Sequence, residues 1–133
     1  MVQVQFGVSP KPSIKIQNLA LLAEGRASTS LMRERIGCIA QRGKSLYEGV
    51  NAMITHPIQR KLNFDLNPFK HWLHAEISAM IHAKWQADRV VVVRLLADGS
   101  WGLCKPCEGC QRALQGVGEV WYSTGEGKGL ARL

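Results

Sequence analysis

The chain has 133 residues, 46% hydrophobic and 20% charged, with 17 Lys and Arg against 10 acids for a formal charge of +7. That length is enough for one domain with a buried core and no disulfide staples, and the composition excludes a disordered polypeptide. The longest apolar run, VVVV at 90–93, falls far short of the ~20 residues of a membrane span, and the opening MVQVQFGVSPKPS lacks the basic-then-apolar order of a secretory leader. A reducing, cytoplasmic setting is expected. The excess of base favours an anionic partner, either a nucleotide phosphate or a nucleic-acid backbone. With no run of five basic residues, the charge alone names no ligand.

No repeat or linker divides the chain, so residues 1–133 read as one domain, with 1–14 a loose lead-in or an added amino-terminal strand. IQNLALLAEGR places Ile16, Leu19, Leu22 and Ala23 at helical spacing and predicts a helix that stops at Gly25. RIGCIAQ and SLYEGVN flank the turn RGKS and predict a β-hairpin over about 33–51. AMITHPIQRKLNFDLNPFK, with Pro57 and Pro68 and little periodicity, reads as a loop. In WLHAEISAMIHAKWQ, Leu73, Ile77, Met80, Ile81 and Lys84 step by three and four, the pattern of a packed helix. DRVVVVRLL reads as a strand buried on both faces, and ADGSWG as a turn. CEGCQRALQ is helical from just after Pro106, and GEVWYST is a fourth strand. The order α-β-β-α-β-α-β implies crossovers and a sheet with helices on its faces.

Three of the four cysteines stand at equal spacing in LCKPCEGCQRAL. An iron–sulfur run of this kind places its fourth cysteine four residues after the third, where this chain has Leu114. A zinc ribbon needs two C-x2-C pairs. A redox dithiol sits near a first βαβ unit rather than in the last thirty residues. A catalytic metal site instead draws a histidine from elsewhere, and HAE at 74–76 supplies one together with an acid. Two thiolates and an imidazole (Cys107, Cys110 and His74) give zinc three protein ligands and leave the fourth position for water. Zinc lowers the pKa of that water from about 16 toward 7, though two anionic sulfurs blunt the effect, so a base such as Glu76 is useful. Residues two apart on a regular helix point nearly opposite ways. His74 and Glu76 can therefore share a site only at a helix entry. Taken singly, such a histidine is more often a surface or capping residue, and such a glutamate more often answers a helix dipole.

H-x-E followed by P-C-x-x-C is a signature of zinc deaminases. With HAEISAM at 74–80 and KPCEGC at 105–110, the chain resembles the cytidine deaminase superfamily over most of its length. The histidine form of the first motif resembles the branch of deoxycytidylate, tRNA adenosine and guanine deaminases. THP after the hairpin and WYSTGEG near the end are similar to small phage-type deoxycytidylate deaminase-like proteins, for which the setting would be a host's cytoplasm.

The resemblance implies a three-layer α-β-α sandwich around a mixed sheet of four to five strands, with one zinc ion held between two helix starts by His74, Cys107 and Cys110. It implies a hydrolase acting on a cyclic amidine, a cytosine nucleotide such as dCMP. In such an enzyme Glu76 moves a proton from water to the ring nitrogen N3 and another to the departing amine. Deamination of another base, of a free nucleoside or of single-stranded nucleic acid is the alternative. It gives Asn51 a sugar or base contact, against the plain reading of a turn-forming residue, and suggests that the Ala75 N–H meets the base carbonyl. Relatives usually pair or form larger assemblies, so a homo-oligomer is expected. The resemblance leaves Cys104 without a metal role, packed or facing the pocket, and Cys38 reads as an apolar filler.

The residues after Asn51 include Thr55, His56, Gln59, Arg60 and Lys61; His56, Arg60 and Lys61 are the expected phosphate contacts, against the plain reading of a solvated loop with His56 a turn residue before Pro57. Trp72, Trp101 and Trp121 could stack on a base, with Trp101 the foremost candidate; His71 and His82 read as surface or half-buried. After WYST, nine residues leave no room for the helical crossover of a parallel fifth strand. A fifth strand is expected to be short and antiparallel, or to come from VQVQF. A carboxy-terminal helix over the active site, as in polynucleotide-editing relatives, is not expected.

Overall fold

The computed structural model describes residues 11–66 and 71–133; VQVQF lies outside them. Helix α1 (Ile14–Ala27) opens at Ser13, whose hydroxyl accepts from the Ile16 amide, and buries Ile16, Leu19, Ala20, Ala23 and Ala27. It runs through Gly25, because that residue faces open space and a solvent-side glycine costs only ~1 kcal/mol. The hairpin follows as β1 (Arg35–Arg42) and β2 (Ser45–Val50), paired antiparallel.

The segment read as a loop holds regular elements over residues 52–62 instead. Strand β3 (Ala52–Thr55) leads into helix α2 (Pro57–Leu62). Pro57 takes a first-turn position that needs no amide. His56 is the extended cap, its Nδ1 accepting from the Ile58 amide at 3.2 Å. The apolar periodicity was too thin to predict a helix because the face that α2 buries is polar: Gln59 and Asn63 are both 0% exposed.

Trp72 and Leu73 form β4 (Trp72–Leu73), paired with β3, so of the apolar pattern only Leu73 precedes α3 (Ala75–His82), which begins just after His74 at the expected helix entry. It ends early. Lys84 and Trp85 take φ values of 54° and 62°, which break the helix, and Lys84 is exposed, not packed.

Strand β5 (Arg89–Leu95) is central, antiparallel to β1 and to the short β6 (Trp101–Gly102), and parallel to β7 (Glu119–Ser123). Helix α4 (Glu108–Leu114) makes the crossover between β5 and β7. Strand β8 (Leu130–Arg132) pairs antiparallel with β7, the short fifth strand expected of the tail. The main sheet runs β2-β1-β5-β7-β8 with β6 beside β5, a mixed sheet of six strands among the described residues. ADGSWG is thus a turn that ends in a strand.

The alternation along β5 builds two cores. Val91 and Val93 point to α1, Ile39, Trp121 and Leu130. Val90 and Val92 point to the other face, with Cys38, Ala40, Ala79, Met80 and Leu114 beneath α3 and α4. All four valines are fully buried. The result is the expected α-β-α layering, with α1 the one helix on its side among the described residues. Gly49 sets the height of α3 over β2: a Cβ there would sit 2.2 Å from the Ala75 carbonyl oxygen and 2.4 Å from the Ala79 nitrogen. No helix among the described residues is long and apolar enough to cross a membrane.

Candidate metal centre and active site

Two helix starts converge over the α3–α4 face of the sheet. His74 is the residue before α3, with extended φ −87° and ψ 152°, and Cys107 is the residue before α4, with φ −69° and ψ 168°. Each points its side chain forward of its helix instead of along its flank. His74 and Glu76 therefore share one site despite their two-residue spacing. Cys110, one turn into α4, is fully buried and faces the same point.

The His74 Nδ1 atom lies 3.2 Å from Cys110 Sγ and 3.5 Å from Cys107 Sγ, and the three donor atoms all fall within 4.8 Å of one another. Zinc bonds of ~2.0–2.3 Å at tetrahedral angles place nitrogen and sulfur ligands roughly 3.6 Å apart. The donors therefore stand at about the spacing one zinc ion would impose. Their protonation fits as well. The Cys110 thiol and the His74 ring both hydrogen-bond Cys107, holding it as a thiolate with a pKa of about 3 against the pull of burial. Cys110 is correspondingly raised by serving Cys107 and by burial. His74, Cys107 and Cys110 can hold a divalent metal. Cys104 stays outside the cluster: it is buried in the core under α3 and also lines the adjoining cleft, and burial pushes its thiol well up. Cys38 is a fully buried filler.

Glu76 is 4% exposed and lines the same cleft. Burial lifts its carboxyl above the ordinary range, with His74 pulling the other way. A carboxyl tuned upward suits proton shuttling near neutral pH. The cleft holds about 600 Å³, the size of a small-ligand pocket. His74, Glu76, Cys104 and Cys107 line it, as do Met53, Trp72, Leu73 and Leu103, with Arg33, Arg94 and Lys105 as its cations.

Other expected contacts fall elsewhere. Trp101 does not meet the cleft: it is buried in the core under α1 and its indole Nε1 donates to Glu24 at 2.7 Å. As β6 turns back beside β5, it presents the ring to the opposite face of the sheet. Trp121 lies in that same core, and the tryptophan that lines the cleft is Trp72. Arg60 and Lys61 are exposed and do not line the cleft. They stand on α2 away from the face that buries Gln59, and His56 is engaged as the cap of that helix. Asn51 does line the cleft, but its amide is largely used within the fold. Its Oδ1 accepts from Ser30 Oγ at 2.8 Å and the Ile36 amide at 3.0 Å, while its Nδ2 donates to the Glu34 carbonyl at 2.6 Å. Ala75 is the first, fully buried residue of α3. His71 donates through Nε2 to the Asn63 carbonyl, and the exposed His82 donates through Nδ1 to the Glu48 carbonyl.

Sequence reasoning missed Gln59 and Asn63 as neighbours of the cysteines. The available signal was a helix start at His56–Pro57 followed by two amides four residues apart, which share a helix face.

No protein-family model matches the chain, and no curated protein matches it in sequence. Solved structures do match in fold. A cytidine deaminase from Burkholderia pseudomallei superposes with a TM-score of 0.63 at 15% identity, covering 87% of this chain and 89% of that one. A dCMP deaminase from the cyanophage S-TIM5 gives 0.58 at 18% identity, covering 86% and 87%. A cytidine deaminase from Mycobacterium leprae gives 0.56 at 18% identity, covering 90% and 94%. The chain thus has the cytidine deaminase-like fold.

Proposed function

We propose that the protein is a zinc-dependent hydrolytic deaminase that converts a cytosine nucleotide to its uracil form and releases ammonia. One observation carries this reading: a His–Cys–Cys donor cluster of zinc dimensions opens onto a cleft whose floor also holds the buried Glu76. A purely structural metal site has no use for that carboxyl. The fold shared with cytidine and dCMP deaminases supports the same class of reaction.

His74, Cys107 and Cys110 would hold the zinc, which when bound supplies a Lewis acid that makes water nucleophilic at neutral pH. Glu76 takes a proton from the attacking water and delivers it to N3 of the base. A second proton passes through Glu76 to the amine at C4, which departs as ammonia while the water oxygen remains as the new carbonyl. The Ala75 amide, at a helix entry where amides have no intrahelical partner, and the second Nδ2 hydrogen of Asn51 are the donors suited to the base and sugar edges. The ring of Trp72 forms part of the cleft wall against which a base can lie.

The nucleotide form is favoured by the cleft's cations. Arg94 reaches Glu34 at 3.6 Å through Nη2, yet its Nε is buried and has no hydrogen-bond partner. A phosphate in the cleft would meet the Arg94 guanidinium, with Arg33 and Lys105 alongside. Single-stranded nucleic acid is the second reading, resting on the overall charge of +7, and would show steep salt dependence.

Ammonia release from dCMP, deoxycytidine, dCTP, guanine and a short single-stranded oligonucleotide tests both readings, with Glu76→Ala as control. Fastest turnover of dCMP is expected. No turnover of any cytosine substrate by zinc-loaded protein would overturn the reading.

A further inference from the structure

A pair of fully buried polar side chains has no part in the chemistry above. Gln59 and Asn63 are each 0% exposed, and burying two amides is costly unless their hydrogen bonds are made. Four residues apart, they project from the same face of α2, and that face meets the metal-binding cluster. Gln59 Oε1 accepts the His74 backbone N–H at 3.1 Å. Because a backbone amide can only donate, this fixes the orientation of the Gln59 side chain and turns its NH2 toward the cysteines. Nε2 then donates to Asn63 Oδ1 at 2.9 Å and lies 4.0 Å from Cys110 Sγ. With its oxygen so occupied, Asn63 presents Nδ2 to Cys107 Sγ at 3.7 Å. Gly109 makes room for this: a Cβ there would fall 1.8 Å from Asn63 Oδ1.

The geometry points to Gln59 and Asn63 as positioning residues of the zinc site, an amide relay that holds His74, Cys110 and Cys107 in place and donates hydrogen bonds to both sulfurs. The inference rests on the zinc reading and deepens it. The relay does two things. It orders the three donors before metal arrives, so less freedom is lost on binding. It also draws negative charge from the thiolates, which offsets the damping of Lewis acidity by two sulfur ligands. Outer partners of this kind commonly govern metal affinity.

Gln59→Glu and Asn63→Asp keep size and the oxygen acceptor but replace the donating NH2. Zinc affinity, measured by competition with a chromophoric chelator on variants whose circular dichroism matches the parent's, is expected to fall roughly 10–100-fold in each. A second measurement leaves the protein unaltered. Parent protein loaded with cadmium-113 should show through-hydrogen-bond coupling from the metal to the side-chain amide protons of Gln59 and Asn63. If either variant fails to fold, the cadmium spectrum decides. Folded variants with affinities within about twofold of the parent's, or a cadmium spectrum without those couplings, would overturn the relay while leaving the zinc site intact. A parent that takes up neither metal would overturn the zinc reading itself.

Discussion

Glu76 and Arg94 divide the proposed chemistry between them at the level of single side chains. Glu76 sits beside the donor cluster without belonging to it, so Glu76→Gln should keep one zinc per chain and lose ~10²-fold or more in turnover, the ordinary contribution of a proton-transfer group. Metal analysis alongside ammonia release separates the two effects. Arg94 lines the cleft as one of its cations. Arg94→Met should raise KM for dCMP by roughly 10–100-fold, the scale of hydrogen bonds to a charged group, and leave KM for deoxycytidine within about twofold. Equal losses on both would remove Arg94 from phosphate recognition. The convergence of His74, Cys107 and Cys110 beside Glu76 was legible in the sequence because the proposed chemistry demands fixed spacing. Arg33, Arg94 and Lys105 were not, because three separate segments bring them together. Proximity in sequence to Asn51 had pointed to Arg60 and Lys61 instead, on the outer side of a helix.

The elements that carry these residues are held by close packing and by pairs at strand ends. Gly49 lets α3 lie against β2, and both obstructing atoms are backbone. Gly49→Ala must therefore lift the helix that bears His74 and Glu76. A loss of about 1–3 kcal/mol by urea denaturation is expected, with weakened zinc binding although the residue touches no metal ligand. At the far end of the sheet, Arg89 on β5 faces Glu119 on β7 in register, Nε to Oε2 at 2.6 Å. Partial burial pulls the Glu119 carboxyl up, but the hydrogen bonds from Arg89 and Trp121 prevail and leave it lowered. A lowered carboxyl stabilises the fold above its unfolded pKa of about 4.3 and loses that contribution as pH falls through the folded value. Glu119→Gln should thus cost under ~1 kcal/mol at pH 7, as half-exposed pairs do. The gap between variant and parent should close as the melts are taken into strong acid. A gap that persisted there would exclude the ion pair as its source. Strands and long helices were readable from periodicity. The helix α2 was not, because its buried face is made of amides that periodicity counts as solvent-facing.

Across the whole molecule, α-β-α layering followed from alternating element types, and the antiparallel β8 followed from a tail with no room for a crossover. The position of Trp101 did not, since the face a ring takes depends on how β6 turns back beside β5. That central strand carries one further implication. Its four consecutive valines differ only in position, so threading β5 one step out of line would still set valine at three of the four core positions, with Arg89 or Arg94 at the fourth. What keeps count is polar and sits at its ends. Asp88 donates its amide to the Gln41 carbonyl and accepts the Gly43 amide, each at 2.7 Å, and the fully buried Ser123 accepts the Arg94 amide at 3.2 Å. A chain with Asp88→Ala and Ser123→Ala together should refold from urea with a slow phase added to those of the parent, as mis-threaded molecules back out and try again. Kinetics identical to the parent's would mean that the valines align themselves unaided.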